Sequence, residues 1–150
     1  MEIITQKEFT EACKQGRKEF SNCLIQFFDI SDIKITDVIF KDCKMLFCTF
    51  RNSELKNVRF ENCVLYWGSF YNGSAENLAF DKCTLELTIF ETFRFSKTKM
   101  DRCSIRLCAI FNSNHASVDF STSAQNRLLT DVSQITRADI ESTINESMAV

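Results

Sequence analysis

The 150-residue chain lacks the features that mark several common functional classes. It has no excess of one charge, because 18 basic residues stand against 20 acidic residues and the net charge is −2. With such a balance the chain has no strong electrostatic field that would attract nucleic acid or an anionic membrane. No apolar run approaches the ~18 residues that span a bilayer, and the start MEIITQKEFTEACKQG has no apolar core of a signal peptide. We therefore expect a soluble, cytoplasmic protein that binds neither membrane nor nucleic acid directly.

The sequence also offers little for a metal or catalytic centre. Its only histidine is His115, and its eight cysteines recur at multiples of five residues rather than in the CxxC-like pairs that zinc favours. A catalytic histidine needs a nucleophile and an orienting carboxylate close by, and the sequence places none there. We interpret His115 as a hydrogen-bonded core residue, and we expect no catalytic residue, cofactor or metal.

The chain does contain a repeat. The phrases FKDCK, FENCV and FDKCT follow one another at an interval of twenty residues. Every fifth residue from Phe20 to Phe120 is apolar, with His115 as the one exception in twenty-one positions, and a mostly small residue lies two positions before each. Neither the 3.6-residue period of a helix nor the two-residue period of a strand produces this pattern. It predicts one short straight step and one corner every five residues, with four steps to a coil.

This pattern resembles that of the pentapeptide-repeat proteins, whose repeat is a small residue, Asp or Asn, Leu or Phe, and two freer positions. The resemblance covers residues 18–121 without an insertion. It implies an all-β solenoid, a right-handed quadrilateral parallel β-helix of about five coils spaced by roughly 4.8 Å. Asn and Asp gather at the corners, where they tolerate a left-handed backbone. The cysteines at the small inner position are expected to be reduced thiols that pack as small apolar side chains.

The two flanks are predicted to cover the open ends of the solenoid within one structural domain. Thr5 and Glu8 match a capping box, which predicts a helix through about Lys14 and an N-terminal helical cap over residues 1–17. Residues 122–150 have apolar residues at helical spacing and predict a C-terminal helical cap or dimerisation segment. Its candidate dimerisation or capping residues are Leu128, Leu129, Val132, Ile140 and Ile144.

One corner of the predicted coil differs from the other three. Three corners carry mainly Asn, Asp or charged residues. The fourth carries five large apolar residues, here called the apolar stripe, with two tyrosines beside it: Phe27, Phe47, Trp67, Leu87 and Leu107, then Tyr66 and Tyr71. These side chains are predicted to point outward. A continuous apolar surface of this kind is either a binding site or is covered by the protein's own flanks.

A column of carboxylates is the other outward feature. Glu61, Asp81 and Asp101 are predicted to lie one coil apart, close to the spacing of paired catalytic carboxylates. Basic residues adjoin the column, since Lys82 and Arg102 directly follow the two aspartates. We interpret the column as a solvated and neutralised face.

Two functions follow from this sequence. The first is a non-enzymatic scaffold that presents the apolar stripe to an unidentified protein partner, or to a second copy in a homodimer. The second is implied by the resemblance: protection or inhibition of a topoisomerase such as gyrase by mimicry of DNA. Duplex DNA presents one negative charge per ~1.7 Å, whereas residues 18–121 hold 13 acidic and 13 basic residues. The sequence therefore favours the scaffold.

Overall fold

The computed structural model describes residues 1–130, 141, 142 and 145. Over this part the chain winds into a parallel β-helix of about six turns with one α-helix. The first elements are β1 (Glu2–Ile4), α1 (Gln6–Lys14), β2 (Glu19–Ser21), β3 (Cys23–Gln26), β4 (Asp29–Ser31), β5 (Lys34–Lys41), β6 (Lys44–Leu46), β7 (Thr49–Arg51) and β8 (Glu54–Glu61). The next are β9 (Val64–Tyr66), β10 (Ser69–Tyr71), β11 (Ser74–Asp81), β12 (Thr84–Glu86) and β13 (Ile89–Glu91). The last are β14 (Arg94–Ser96), β15 (Thr98–Asp101), β16 (Ser104–Phe111), a 3₁₀ helix (His115–Ser117), β17 (Val118–Asp119) and β18 (Ala124–Leu129).

The strands stack with the twenty-residue offset that the repeat predicts. In the first face of the solenoid Phe20 lies opposite Phe40, Phe40 opposite Phe60, and Phe60 opposite Phe80. The second, third and fourth faces follow in chain order, and their inward columns begin at Ile25, Ile30 and Ile35. The second and third faces belong to an eleven-stranded sheet, and the first and fourth to a seven-stranded sheet. All the strand pairs described are parallel, as a solenoid of one hand requires.

Stacked rings fill the interior. The ring centroids of Phe40 and Phe60 are 4.7 Å apart, and those of Phe60 and Phe80 are 4.8 Å apart, close to the spacing of the strands themselves. A second column stacks in the same way on the third face through Phe50, Phe70 and Phe90. Because each ring lies on the next at van der Waals distance, every coil depends on its neighbours for a complete core.

All eight cysteines are free, and the seven in the solenoid are buried. Each thiol of the central ladder donates to a main-chain carbonyl of the coil below; Cys63 Sγ, for example, is 3.3 Å from the oxygen of Phe40. Burial raises the pKa of Cys48 to about 11 and that of Cys108 to about 12. Cys48 and Cys108 are therefore protonated packing groups.

In the interior, a small residue lies against a large one at some positions where one coil meets the next. A Cβ atom at Gly73 would lie 2.4 Å from Cε2 of Phe93 and 2.5 Å from the main-chain oxygen of Ser53. No side chain larger than glycine's fits there unless Phe93 and the backbone of Ser53 move. Gly68 occupies the equivalent position one step earlier, where a Cβ atom would meet Thr88 at an ordinary 3.4 Å.

The polar corners are held by side-chain ladders. Asn57 Nδ2 donates to Asp37 Oδ1 at 2.9 Å, and Asn77 Nδ2 donates to Asn57 Oδ1 at 3.0 Å. Asn62 makes the same bond to Asp42 at 2.8 Å. Aspartate begins each ladder as an acceptor, and in the first ladder Asn57 both donates and accepts. The left-handed backbone at these positions, for example φ 53° at Asn57, is one that asparagine tolerates well.

The N-terminal end is closed by α1, which begins and ends as predicted. Thr5 caps the helix through its side-chain oxygen, which accepts from the main-chain nitrogen of Glu8 at 3.1 Å. Phe9 is fully buried, and its ring lies 5.2 Å from that of Phe20. Gln6 pairs with the exposed edge of β4, since its amide both donates to and accepts from the backbone of Asp29. Strand β1, which the sequence analysis missed, pairs with β3 and adds a further level.

The first part of the predicted C-terminal helical cap is a strand. Residues 124–129 form β18, which continues the solenoid in parallel with β16, so Leu128 and Leu129 lie on a strand and not on a helix. The helical spacing failed here because backbone groups left open at the end of β16 pair with whatever chain follows. Leu128 packs against the inner core. The other candidates in this segment, Val132, Ile140 and Ile144, lie outside the described residues.

Candidate interaction surface

The apolar stripe lies at the corner between the second and third faces. All five of its residues have a left-handed backbone, with φ of 59° at Phe27, 55° at Phe47, 54° at Trp67, 55° at Leu87 and 54° at Leu107. The side chains at this corner point outward, because the neighbouring residues of the chain occupy the inward positions. The predicted register of this corner is therefore confirmed in all five coils.

The stripe is exposed at one end and buried at the other. Phe27 is 70% exposed and Phe47 is 44% exposed, Trp67 is half-buried, and Leu87 and Leu107 are only 3% and 6% exposed. The stripe is thus not exposed along its whole length, because Leu87 and Leu107 are covered. These two side chains still point away from the solenoid core, but other side chains pack over them.

A separate apolar cluster accounts for the buried end. We call it the outer cluster, and its members are Leu87, Ile89, Leu107, Ala109 and Phe111. Tyr66, Trp67 and Leu129 pack against it from its edges. Leu129, at the end of β18, is the contribution from beyond the repeat. The sequence analysis named Leu129 as a capping residue but gave no sign that it meets the stripe.

The exposed end is an ordered aromatic surface. The rings of Phe27 and Phe47 are stacked with centroids 5.4 Å apart, and Phe47 is stacked on Trp67 at 6.4 Å. Tyr66 meets Phe47 edge-on at 5.6 Å. Tyr71 lies apart from this group on the third face, where the guanidinium of Arg51 is 5.4 Å from its ring centroid. Four of the seven predicted interaction residues therefore form one contiguous set: Phe27, Phe47, Tyr66 and Trp67.

Ile3 is a further exposed apolar residue, and it lies on the second face. It lies on β1 opposite Leu24 and is 64% exposed. Sequence reasoning missed Ile3 because the fivefold pattern does not reach it. The alternation of exposed Ile3 with buried Ile4 is the two-residue period of a strand, but three residues are too few for that period to predict one.

The left-handed backbone of the apolar stripe favours asparagine and aspartate over large apolar residues. A left-handed conformation costs an ordinary L-residue roughly 1–2 kcal/mol, and asparagine and aspartate avoid much of that cost. The corner between the first and second faces accordingly has Asn22, Asp42 and Asn62 in the first coils. Phe27 and Phe47 adopt the same backbone and gain only partial burial in return. Their presence is therefore not explained by the stability of this chain alone.

The carboxylate column is neutralised, as the sequence predicts. Arg102 Nη2 lies 2.8 Å from Asp81 Oδ1, and Arg59 Nε lies 2.7 Å from Glu61 Oε1. A hydrogen bond from Thr122 lowers the pKa of Asp101, and nearby Lys99 and Arg102 lower it further. The column therefore consists of carboxylates paired with arginine side chains.

The interpretation of His115 as a hydrogen-bonded core residue is wrong. It is half-exposed in the 3₁₀ helix, and within residues 1–130 its side chain makes no hydrogen bond. Asn114 takes the place beside Phe95 that the pattern assigned to His115. Its side-chain amide accepts from the main-chain nitrogen of Phe95 and donates to the main-chain oxygen of Phe95, each at 2.7 Å. An amide can replace a strand partner in this way and an imidazole cannot.

His115 lies at the edge of an open polar groove of about 1250 Å³ that follows the corner between the third and fourth faces. Asn52, Asn72 and Asn112 line it, together with Arg94. Among the described residues no group of three or more His, Cys, Asp or Glu side chains is placed to hold a metal ion. Nor does any helix in that part of the chain have the length and apolar character to span a membrane.

Comparison with known families agrees with the geometry. The family described as "Pentapeptide repeat region" matches residues 13–90, which is more than half of the chain. The protein therefore belongs to the pentapeptide-repeat family, whose repeat is the one seen in the stacked coils. No curated protein matches the sequence.

Solved structures of pentapeptide-repeat proteins are also similar in part. Full-length QnrB1, a plasmid-mediated fluoroquinolone resistance protein, is 16% identical with a TM-score of 0.44, and the match covers 99% of this chain and 95% of that one. The pentapeptide-repeat protein Rfr23 from the cyanobacterium Cyanothece 51142 is 8% identical with a TM-score of 0.40, over 83% of this chain and 99% of that one.

Proposed function

We propose that this protein is a non-enzymatic scaffold that binds a protein partner through the exposed end of the apolar stripe. The surface consists of Phe27, Phe47, Tyr66 and Trp67. One observation carries the proposal: Phe27 and Phe47 are large, exposed and held in a left-handed backbone that suits asparagine better. Conformational cost without a matching gain in packing is typical of a functional surface.

The chemistry of the surface suits a protein partner. Tyrosine and tryptophan are enriched among the residues that dominate binding energy, and flat rings bury much area for few rotatable bonds. The stacking of Phe27, Phe47 and Trp67 on a fixed ladder holds the rings in place before binding. Association therefore costs less side-chain entropy than it would on a flexible loop.

Mimicry of DNA by this chain has weaker support. It calls for rows of unpaired acidic groups along the rod. Here Arg59 and Arg102 pair with the carboxylates of the first face, Arg51 lies 3.5 Å from Asp29 on the third, and Arg106 contacts Glu86 on the second. Because of these pairs, the described residues of the first, second and third faces do not present the charge density of a duplex.

The test compares two substitutions to glutamate at residues of similar exposure. Phe47 belongs to the stripe, whereas Ile39 is 39% exposed on the first face, in the other sheet. The wild-type chain is used to isolate a partner, which is identified and purified, and its dissociation constant is then measured for each variant. Phe47→Glu is expected to weaken binding more than tenfold. Ile39→Glu is expected to bind as the wild type does.

Equal binding by both variants would reject the stripe as the interface, and a selective loss with Ile39→Glu would move the interface to the first face. If the partner is a second copy of this chain, light scattering on the isolated chain gives the mass of a dimer. In that case Phe47→Glu is expected to convert a dimer into a monomer. A rise in affinity after neutralisation of Arg59 and Arg102 would instead favour the DNA-mimic alternative.

A further inference from the structure

Two corners of the solenoid carry the same residue types in the same three coils. One corner joins the fourth face to the first, and the other joins the third face to the fourth. Both have the order Asp, Asn, Asn, formed by Asp37, Asn57 and Asn77 at the first corner and by Asp32, Asn52 and Asn72 at the second. All six residues have a left-handed backbone, with φ between 51° and 61°. Residue type and backbone conformation therefore do not distinguish the two corners.

The two corners differ in their hydrogen bonds. At the first corner Asn57 bonds to Asp37 at 2.9 Å and Asn77 bonds to Asn57 at 3.0 Å. At the second corner the side-chain amides of Asn52 and Asn72 have no partner in the described part of the chain. Both residues line the polar groove of about 1250 Å³. Their donors and acceptors are therefore available to a ligand.

Thr92 and Asn112 continue the groove column over the next two coils. Thr92 has φ 50°, a backbone conformation that is an outlier for a β-branched residue. Neither side chain forms a hydrogen bond with the described residues. An unfavourable backbone conformation beside a groove is typical of a functional site. The column thus presents three amides and one hydroxyl along about 14 Å, the length of three coil spacings.

Arg94 differs from the other arginines of the repeat. Residues 18–121 contain five arginines, and four of them contact a carboxylate: Arg51, Arg59, Arg102 and Arg106. Arg94 lines the groove, is exposed, and has no carboxylate partner among the described residues. Its guanidinium can therefore bind the carboxylate of a ligand through two parallel hydrogen bonds.

The groove is polar throughout its described surface. Phe93 is the one large apolar side chain among the described residues that line it, and Phe93 is only 1% exposed. Glu54 is the one carboxylate in that set, and it lies two coils away from Arg94 and 3.8 Å from Lys34. An extended peptide gains its specificity from pockets for alternate side chains. These lining residues offer no apolar pocket of that kind, so a hydroxylated ligand fits them better.

We propose that this groove binds an acidic oligosaccharide, whose carboxylate contacts Arg94 and whose hydroxyl groups contact Asn52, Asn72 and Asn112. A hydroxyl group both donates and accepts hydrogen bonds, and so does the side-chain amide of asparagine. The column repeats at the coil spacing of roughly 4.8 Å, which suits a polymer of hydroxylated units better than a single small anion. The groove lies at a different corner from the apolar stripe, so this inference does not depend on the proposed function.

The test is isothermal titration calorimetry on the full chain with tetrasaccharides of galacturonate, mannuronate and guluronate. At least one of the three is expected to bind. Its methyl ester keeps the hydroxyl groups and lacks the charge, and it is expected to bind at least tenfold more weakly, because charge-assisted hydrogen bonds are stronger than neutral ones. Inorganic phosphate and tetra-aspartate are titrated as competing anions, and both are expected to bind more weakly than the tetrasaccharide.

Two variants locate the site, each with a matched control. Arg94→Gln is expected to weaken binding of the tetrasaccharide more than tenfold, and Arg106→Gln, on the second face, is expected to leave it unchanged. Asn72→Gly removes one amide without straining the left-handed backbone and is expected to weaken binding about three- to tenfold. Asn77→Gly makes the same change in the same coil at the other corner and is expected to match the wild type. Circular dichroism checks that each variant is folded.

Absence of binding by all three tetrasaccharides would overturn the inference. Wild-type affinity in both Arg94→Gln and Asn72→Gly would also overturn it, because the ligand would then bind elsewhere. Phosphate that binds as tightly as the best tetrasaccharide would make the groove a simple anion site, and tighter binding of tetra-aspartate would assign it to an acidic peptide. Both results contradict the proposal. Phe47→Glu is expected to keep full affinity for the tetrasaccharide, which distinguishes a failure here from a failure of the proposed function.

Discussion

The two ends of the apolar stripe share one backbone conformation and differ in their surroundings. Phe27 has φ 59° and Leu107 has φ 54°, yet Phe27 is 70% exposed and Leu107 is 6% exposed. The difference comes from what packs outside the solenoid and not from the repeat. One column of one corner therefore supplies an open aromatic surface at one end and an internal contact at the other.

The difference also shows what the repeat does and does not specify. A five-residue period sets which residues turn inward and which occupy corners, because each coil repeats the same backbone path. It carries no information about a second layer, which depends on residues outside the period. Leu107 occupies the same position in the repeat as Phe47, yet Leu107 belongs to the outer cluster, against which Leu129 packs from outside the repeat.

The largest expected effect is at the buried end. Leu107→Ala is expected to lower the free energy of unfolding by about 2–4 kcal/mol, because it leaves a cavity in the outer cluster. Phe27→Ala, at the same backbone conformation, is expected to change it by less than about 0.5 kcal/mol. Urea denaturation followed by circular dichroism measures both. Equal losses would remove the distinction between the two ends.

The comparison requires one continuous register between the two ends, and Gly73 tests it. Gly73→Ala is expected to cost about 1–3 kcal/mol, because the added methyl group meets Phe93 and the rigid backbone of Ser53. Gly68→Ala is the matched control, since its methyl group fits beside Thr88. The midpoint of thermal unfolding is the measurement. A Gly73→Ala protein as stable as Gly68→Ala would show that the coils are stacked differently here.

Trp67 lies between the two ends of the apolar stripe and is expected to contribute both to binding and to stability. Trp67→Glu is expected to reduce both partner binding and stability, the latter by about 1–2 kcal/mol, because the ring packs against the outer cluster as well as against Phe47. Phe47→Glu is expected to reduce binding alone. Paired measurements of affinity and urea denaturation separate the two effects, and a Trp67→Glu protein with unchanged stability would place Trp67 wholly in the exposed end.

The smallest expected effect concerns the backbone of the exposed end. Phe27→Asn is expected to be more stable than Phe27→Ala by about 0.5–1 kcal/mol, since both remove the ring but asparagine adopts the left-handed conformation more readily. Urea denaturation of the two variants gives the difference directly. If alanine is equal or better, the backbone at Phe27 is not strained, and the main argument for a functional surface there is lost.

Much of the architecture follows from the sequence by itself. The interval of five residues determines the inward columns through Phe20 and Phe50, the small positions such as Cys63, and the polar corners such as Asn57. Local chemistry likewise determines α1, because Thr5 and Glu8 satisfy the first turn of a helix. These features depend on neighbours in the chain or on a regular repeat, so the sequence displays them.

Only the tertiary structure decided which part of the apolar stripe is open. The sequence presents Phe27 and Leu107 as equivalent, and it presents Leu128 and Leu129 as helical and His115 as a core residue. In each case the outcome depends on contacts across the coils: β18 pairs with the open edge of β16, and Asn114 replaces His115 beside Phe95. Pairing at the end of a solenoid satisfies the backbone groups of a strand that is distant in sequence. A local sequence pattern does not show which distant strand has unpaired backbone groups.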